Sequence, residues 1–291
     1  MKRILTGVAL VTTAALATAT PAMAAPKDPV VAVKKRMAPG KGVSFTERTT
    51  ISQGARREVF LRRSGTLQFG KSGIAASDIT GKLNITSKDL ADAPDDEFGE
   101  SLKAIAKPER TIKIGTTSYL SGNMWATLLP EGKTWFKAAK GLAGGATATF
   151  GQFVNLGEHS TLKALLKGAK ATSHGYTGTI KLGALWKASP WLRAGSSLGS
   201  PSAKAMKSPI KWRLTVNAAG LPTRLVTTFT TSVHGLGDKG SVSVDTRYTG
   251  WGKAVSIKAP PAKDVATSFE DSGDDIPSLT EIPLGAYAVT G

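Results

Sequence analysis

Apolar and polar side chains alternate with period two along several separate stretches of this chain, and no other feature constrains its fold as strongly. Ile79, Gly81, Leu83 and Ile85 alternate with Thr80, Lys82, Asn84 and Thr86. A β-strand sends successive side chains to opposite faces, so such a stretch reads as a strand with one dry face and one wet face. Ile210, Trp212, Leu214 and Val216 repeat the pattern against Lys211, Arg213, Thr215 and Asn217, as do Val242, Val244 and Tyr248 against Ser243, Asp245 and Arg247. Gly220 and Pro222 mark a turn, after which Leu225, Thr227, Phe229, Thr231 and Val233 continue an inner face. Val59, Leu61, Leu67 and Phe69 form a weaker member, interrupted by Arg63 and Gly65. Roughly seven to ten strands in an antiparallel meander are expected.

Helical patterns are few and short. Candidates are Ser101 to Lys107, Thr161 to Gly168, Leu182 to Trp191 with a break at Pro190, and one or two turns between Val30 and Met37. Asp92, Asp95, Asp96, Glu97 and Glu100 precede or open the first of these, where carboxylates suit the positive end of a helix better than a metal. Gly141 to Gly157 and Gly195 to Pro209 read as flexible loops.

This imbalance has a physical consequence. A long amphipathic sheet must cover its apolar face, and with so little helix it must curl or be covered incompletely, which leaves a cavity. The fold class expected is mainly β (α+β), a curved antiparallel half-barrel sheet packed on a few short helices. The inward positions Ile79, Leu83, Ile85, Leu214, Val216, Leu225 and Phe229 are candidates to line that cavity, with Trp125 and Trp135 nearer its mouth. Parity alone does not separate a ligand-lined cavity from a filled core, since both place apolar side chains inward.

The ends add an address. Lys2 and Arg3, an apolar run from Ile4 to about Ala19 and the Ala22-Met23-Ala24 site read as a secretory signal peptide cut after Ala24, against the alternative of an uncleaved anchor. No later stretch approaches the roughly 18 to 20 apolar residues that span a bilayer. The expected organisation is 1–24 signal peptide, 25–42 basic linker or short helix, 43–265 folded domain, and 266–291 an acidic, loosely ordered tail carrying Glu270, Asp271, Asp274, Asp275 and Glu281. The chain contains no cysteine, so it has neither disulfides nor a cysteine for lipid anchoring. The expected location is extracellular or at the cell envelope, without a lipid anchor.

Lys and Arg number 38 against 21 Asp and Glu, a formal charge of +17 that becomes +15 once Lys2 and Arg3 are lost. Such a charge attracts anionic polymers or an anionic membrane surface, and an exported destination makes nucleic acid an unexpected partner. Arg56, Arg57, Arg62 and Arg63 could form a phosphate-attracting face or simply a solvated one.

Catalytic signals are missing. His159, His174 and His234 show no metal-ligand spacing, no Gly-x-Ser-x-Gly elbow stands in a strand-to-helix context, and the glycines of 141–145 lack the Lys-Ser/Thr of a phosphate loop. His174 shares parity with Tyr176, Ile180 and Leu182, which places it inward, as a core histidine or a polar contact at a cavity mouth. Neither a cofactor nor enzymatic activity is expected. Tyr119, Phe136, Trp186 and Trp191 read as packing residues.

Four ordered stretches carry a family resemblance: Thr117-Ser118-Tyr119-Leu120 with Leu129-Pro130-Glu131-Gly132-Lys133-Thr134-Trp135-Phe136-Lys137; Thr161 to Gly168 with His174-Gly175-Tyr176-Thr177-Gly178-Thr179-Ile180; Ala219-Gly220-Leu221-Pro222-Thr223-Arg224-Leu225; and Tyr248-Thr249-Gly250-Trp251-Gly252-Lys253 running to Ala259-Pro260-Pro261-Ala262. Together they resemble the LolA-like lipoprotein-carrier superfamily, in particular the actinobacterial lipid-binding lipoproteins of the LppX/LprG type. The resemblance implies a half-barrel wrapped around helices, with a hydrophobic cavity for acyl chains and no catalytic residues. It makes Gly220-Leu221-Pro222 and Trp251 fold determinants. The missing lipidated cysteine, the strong positive charge and the acidic tail depart from the pattern. The expected function is a secreted, non-catalytic protein that holds a lipid or other acylated amphiphile. The alternative is an envelope interaction or sensor protein that binds anionic wall polymer or a protein partner through its basic face.

Overall fold

The computed structural model describes residues 27–141, 143–145, 147–148, 151–195, 200–234 and 239–269. The expected signal peptide (1–24), residues 270–291 of the expected acidic tail and the side chain of His234 lie outside the described residues.

In chain order the elements are α1 (Pro29–Lys34), β1 (Lys41–Gln53), β2 (Arg56–Gly70), β3 (Gly73–Leu83), α2 (Ser87–Ala91), α3 (Glu97–Ile105), β4 (Glu109–Ile114), β5 (Thr117–Gly122), α4 (Trp125–Leu128), β6 (Trp135–Ala138), α5 (His159–Leu166), β7 (Lys170–Thr172), β8 (Gly175–Lys181), α6 (Leu182–Ala188), α7 (Pro190–Gly195), β9 (Pro209–Val216), β10 (Pro222–Thr230), β11 (Gly240–Ala254) and β12 (Val265–Ala266). The strands form one sheet in the order β12-β6-β5-β4-β3-β2-β1-β11-β10-β9-β8-β7. Every described pairing is antiparallel except β12 on β6. The protein is therefore mainly β, a twelve-stranded open, curved mixed sheet with few short helices.

Sequence logic accounts for the ladder. Gln53 pairs with Arg56 across a tight turn whose Gly54 has φ 58°, a conformation that glycine reaches without a Cβ clash. β1 then pairs with β2 on one side and with the late strand β11 on the other, so residues 200 apart in sequence meet and the two wings close on one ladder. The periodicity did not mark β4, β5 or β6, and β7 with three residues and β12 with two are too short for any period to register.

One face of the sheet is dry. Val43 and Phe45 of β1, Leu67 and Phe69 of β2, Ile79 of β3, Ile210 and Leu214 of β9, Leu225 and Phe229 of β10, and Val242 and Val244 of β11 form a single buried cluster. It is closed by Val33 of α1, Leu162 and Leu165 of α5, Leu182 and Leu185 of α6 and Leu192 of α7. Each such side chain contributes about 1.5–3 kcal/mol on full burial. Two smaller clusters continue the same face: Leu61 and Leu83 under Leu102 and Ile105 of α3, and Leu120 and Phe136 with Trp125 of α4 and Phe269. Val33 and Phe269 lie outside the expected domain limits of 43 and 265, and both are packed in its cores.

The helices begin and end for identifiable reasons. Asp96 caps α3 by accepting from Gly99 N at 3.0 Å, which is the helix-start chemistry expected of the acidic stretch. α6 and α7 are separate because Ser189 and Pro190 interrupt them, and Leu192 N donates to Ser189 Oγ at 3.0 Å.

Candidate functional site: the outer face of the sheet

The residues expected to line a cavity divide among several environments. Ile79, Leu214, Leu225 and Phe229 meet in the main cluster, with Val216 at its margin. Leu83 belongs to the cluster under α3, with Ile85 packed beside it. Trp125 lies in the third cluster, stacked with Phe136 and Phe269. Trp135 is on the opposite face of the sheet, where the Arg110 guanidinium sits 5.6 Å from its ring centroid. The structure thus places four of the nine in one buried cluster, which the covering helices close.

The 141–157 segment reads as a flexible loop, yet among its described residues Gln152, Val154, Asn155 and Leu156 are buried, as is Glu158 just after it. Partners meet part of the buried polar groups there: Gln152 Nε2 donates to the Tyr248 hydroxyl at 2.6 Å, Leu156 N donates to the same oxygen at 3.4 Å, and Asn155 Oδ1 accepts from Gly157 N at 2.8 Å. Burial pushes the Tyr248 phenol far above its ordinary range, so it stays neutral. Glu109 accepts from Trp125 Nε1 at 2.6 Å and from Thr147 N at 2.9 Å. Arg63, one of four arginines considered for a basic face, points inward and pairs with Glu47 at 3.3 Å, both side chains 1% exposed. Burial raises the Glu47 pKa, against the opposing pull of Arg63 and of the Thr246 hydroxyl. These groups sit deep in the body and serve its packing.

His174 is not inward. It occupies the turn between β7 and β8 and is exposed, because the strand and its parity begin only at Gly175, whose φ of 153° sets the reversal. Its carbonyl accepts from Val216 N at 3.0 Å. Among the described residues no group of three or more His, Cys, Asp or Glu could hold a metal ion.

The other face of the sheet carries the charge. Direct cross-strand register aligns Arg213 of β9, Val226 of β10, Asp245 of β11, Arg48 of β1, Arg62 of β2 and Lys82 of β3 in one row. The adjacent row, two residues along each strand, runs Thr215, Arg224, Arg247, Thr46, Ser64, Thr80 and Arg110. All of the cations in these rows are exposed. Asp245 answers Arg224 through two 2.8 Å hydrogen bonds and approaches Arg48 at 3.9 Å. Asp78, in the next row, takes a two-pronged contact from Arg110 at 2.9 and 2.7 Å. Among the described residues no carboxylate reaches Arg62, Lys82, Arg213 or Arg247 within ion-pair distance.

Arg48 stands directly opposite Arg62, Arg62 opposite Lys82, and Arg224 opposite Arg247. Like charges so placed destabilise a sheet. A depression of about 630 Å³ opens at this place, lined by Thr46, Ser64 and Thr80 together with Arg48, Arg62, Lys82 and Arg247, with the Arg224-bound carboxylate of Asp245 at its edge. A second of similar size lies between α1, α5 and β8, lined by Pro29, Val30, Ala164, Leu166 and Tyr176 beside Lys163, Lys167, Ser160 and the carboxylate of Asp28.

Part of the basic outer face was legible as strand parity, which puts Lys82, Arg213 and Arg247 on wet positions; Arg48 was not read, and Arg62 was grouped with the inward Arg63. The face's assembly into rows depended on register, which no local pattern gives. Fold and site together define a single-sheet β protein with a helix-covered inner face and an open, cationic outer face. No family model matches the chain, and no curated protein is significantly similar to it.

Proposed function

We propose that this protein is a non-catalytic binding protein of the cell exterior that holds an anionic envelope polymer against the outer face of its sheet. The observation that carries this reading is the pair of cross-strand rows in which unpaired cations from β2, β3, β9 and β11 stand together. Repulsion among them opposes folding, and an anionic partner relieves it. The secretory pattern at the N-terminus supports the location. Isolated cell wall should co-sediment with purified protein at low ionic strength and release it at high salt. Protein that stays in the supernatant at low salt would sink the proposal.

A second reading has its own support. The depression between α1, α5 and β8 joins apolar walls to two lysines and one carboxylate, Asp28, an arrangement whose net positive charge suits an acyl chain with an anionic headgroup. The LolA-like resemblance, with its half-barrel and lipid cargo, favours the same reading. Native mass spectrometry of protein from its own host would show a removable mass excess if an amphiphile is bound, and the bare polypeptide mass if it is not.

A further inference from the structure

The depression on the outer face is bounded in a way that selects among anions. Its floor is the row Thr46, Ser64 and Thr80, three short hydroxyl side chains in direct register on β1, β2 and β3. Adjacent strands lie about 4.8 Å apart, so the three hydroxyls span about 10 Å across the strands. One side of the floor is walled by Arg48, Arg62 and Lys82, a single two-residue step along each strand. Arg247 stands at one end of the hydroxyl row and Arg110 at the other. Short residues between long cationic ones make the depression a trough that runs across the strands.

An anion in this trough meets donors from two directions, hydroxyls beneath it and a guanidinium or ammonium at its side. The carboxylates of this same face behave differently: Asp78 and Asp245 are each satisfied in a plane by one arginine fork. A tetrahedral oxyanion presents oxygens both downward and sideways, and so uses floor and wall together. None of the described residues lining the trough is aromatic, which leaves nucleobases no surface on which to stack.

We propose that the Thr46-Ser64-Thr80 trough is a seat for the phosphate groups of a phosphodiester polymer without nucleobases, lying across β1, β2 and β3. This rests on the reading of the outer face as a polyanion surface and names the anion.

The test is titration calorimetry of the full chain at about 50 mM salt, where screening is weak, against poly(glycerol phosphate) and poly-L-glutamate of matched charge number. The phosphate polymer should bind more tightly. Arg62→Ala with Lys82→Ala should weaken it about tenfold, a loss equal to about 1.4 kcal/mol. Arg213→Ala with Lys211→Ala, two exposed cations of the same face outside the trough, should weaken it less. Ser64→Ala with Thr80→Val should erase the preference while leaving the polyglutamate affinity unchanged. All of these side chains point away from the core, so a heat melt checks that the variants remain folded.

Equal affinity for both polymers, or a preference that survives loss of the hydroxyls, overturns the phosphate seat and leaves the polyanion surface standing. Binding to neither polymer overturns both. Tighter binding of single-stranded DNA of the same charge number also overturns the seat, since bases would then contribute.

Discussion

Two neighbouring arginines show how completely position decides a residue's role. Arg62 and Arg63 have the same chemistry, yet strand parity sends one into water and the other beside Glu47 in the interior. Breaking a buried pair strands the remaining charge, so Arg63→Met should lower stability by about 3–5 kcal/mol in urea denaturation, as an isolated buried carboxylate requires. Arg62→Thr should act in the opposite direction. It removes two opposed like-charge contacts, to Arg48 and Lys82, and should raise stability by about 0.5 kcal/mol at low salt, less at high salt, while weakening polymer binding. A residue that costs stability where it stands and contacts no core is retained for what it meets outside. A loss of stability in Arg62→Thr would remove that argument.

At the scale of elements, the strands with clean alternation were legible: β3, β9, β10 and β11 follow the parity of Ile79, Ile210, Leu225 and Val242. β1 was harder to read because Glu47 and Thr49 hold inward positions, and β2 because Arg63 does; charged groups on the dry face break the pattern that reveals a strand. The segment before α5 was misread for a related reason. Its glycines look like loop residues, but Gly151 is glycine because Arg63 occupies the space: a Cβ there would lie 1.4 Å from Nη1. Gly151→Ala should therefore cost about 1–3 kcal/mol through overpacking, measured as a shift in the urea midpoint at unchanged slope. Glu158 ends this segment and joins three helices. It accepts from Thr161 Oγ1 at 2.7 Å, from Trp191 N at 2.6 Å and from the Ser189 hydroxyl. Burial raises its pKa above 4.5 despite those donors. The folded state then binds this proton more readily than the unfolded chain, so the contribution is full below about pH 4.5 and is lost as pH rises through the folded-state value. Denaturation across pH 4 to 8 should show a steeper decline with pH in the wild type than in Glu158→Gln, where this proton is absent. Parallel curves would show that the site titrates alike in both states.

For the molecule as a whole, the division of labour between the faces sets how it meets other bodies. All described helices lie on the dry side, and the sheet ends in a three-residue strand bearing Lys170 and a two-residue strand, edges too short to recruit another sheet. What remains available is the cationic outer face, reinforced by a formal charge of +17 on the chain. The range of its attraction is set by screening, with a Debye length of about 10 Å at 0.1 M salt and about 3 Å at 1 M. At low salt the rows should act as one field, and at high salt only groups in direct contact should still contribute. Affinity for an anionic wall polymer should thus fall steeply between about 0.1 and 1 M salt, and removal of Arg62 and Lys82 together should flatten that dependence as well as lower the affinity. Arg193→Ala with Lys187→Ala, exposed cations on the helical side, removes the same net charge and should leave the dependence nearly unchanged. If both double variants lose equally, the partner responds to total charge and the face has no special part. If only the outer-face variant loses, the strand register that assembled those rows is what the polymer reads.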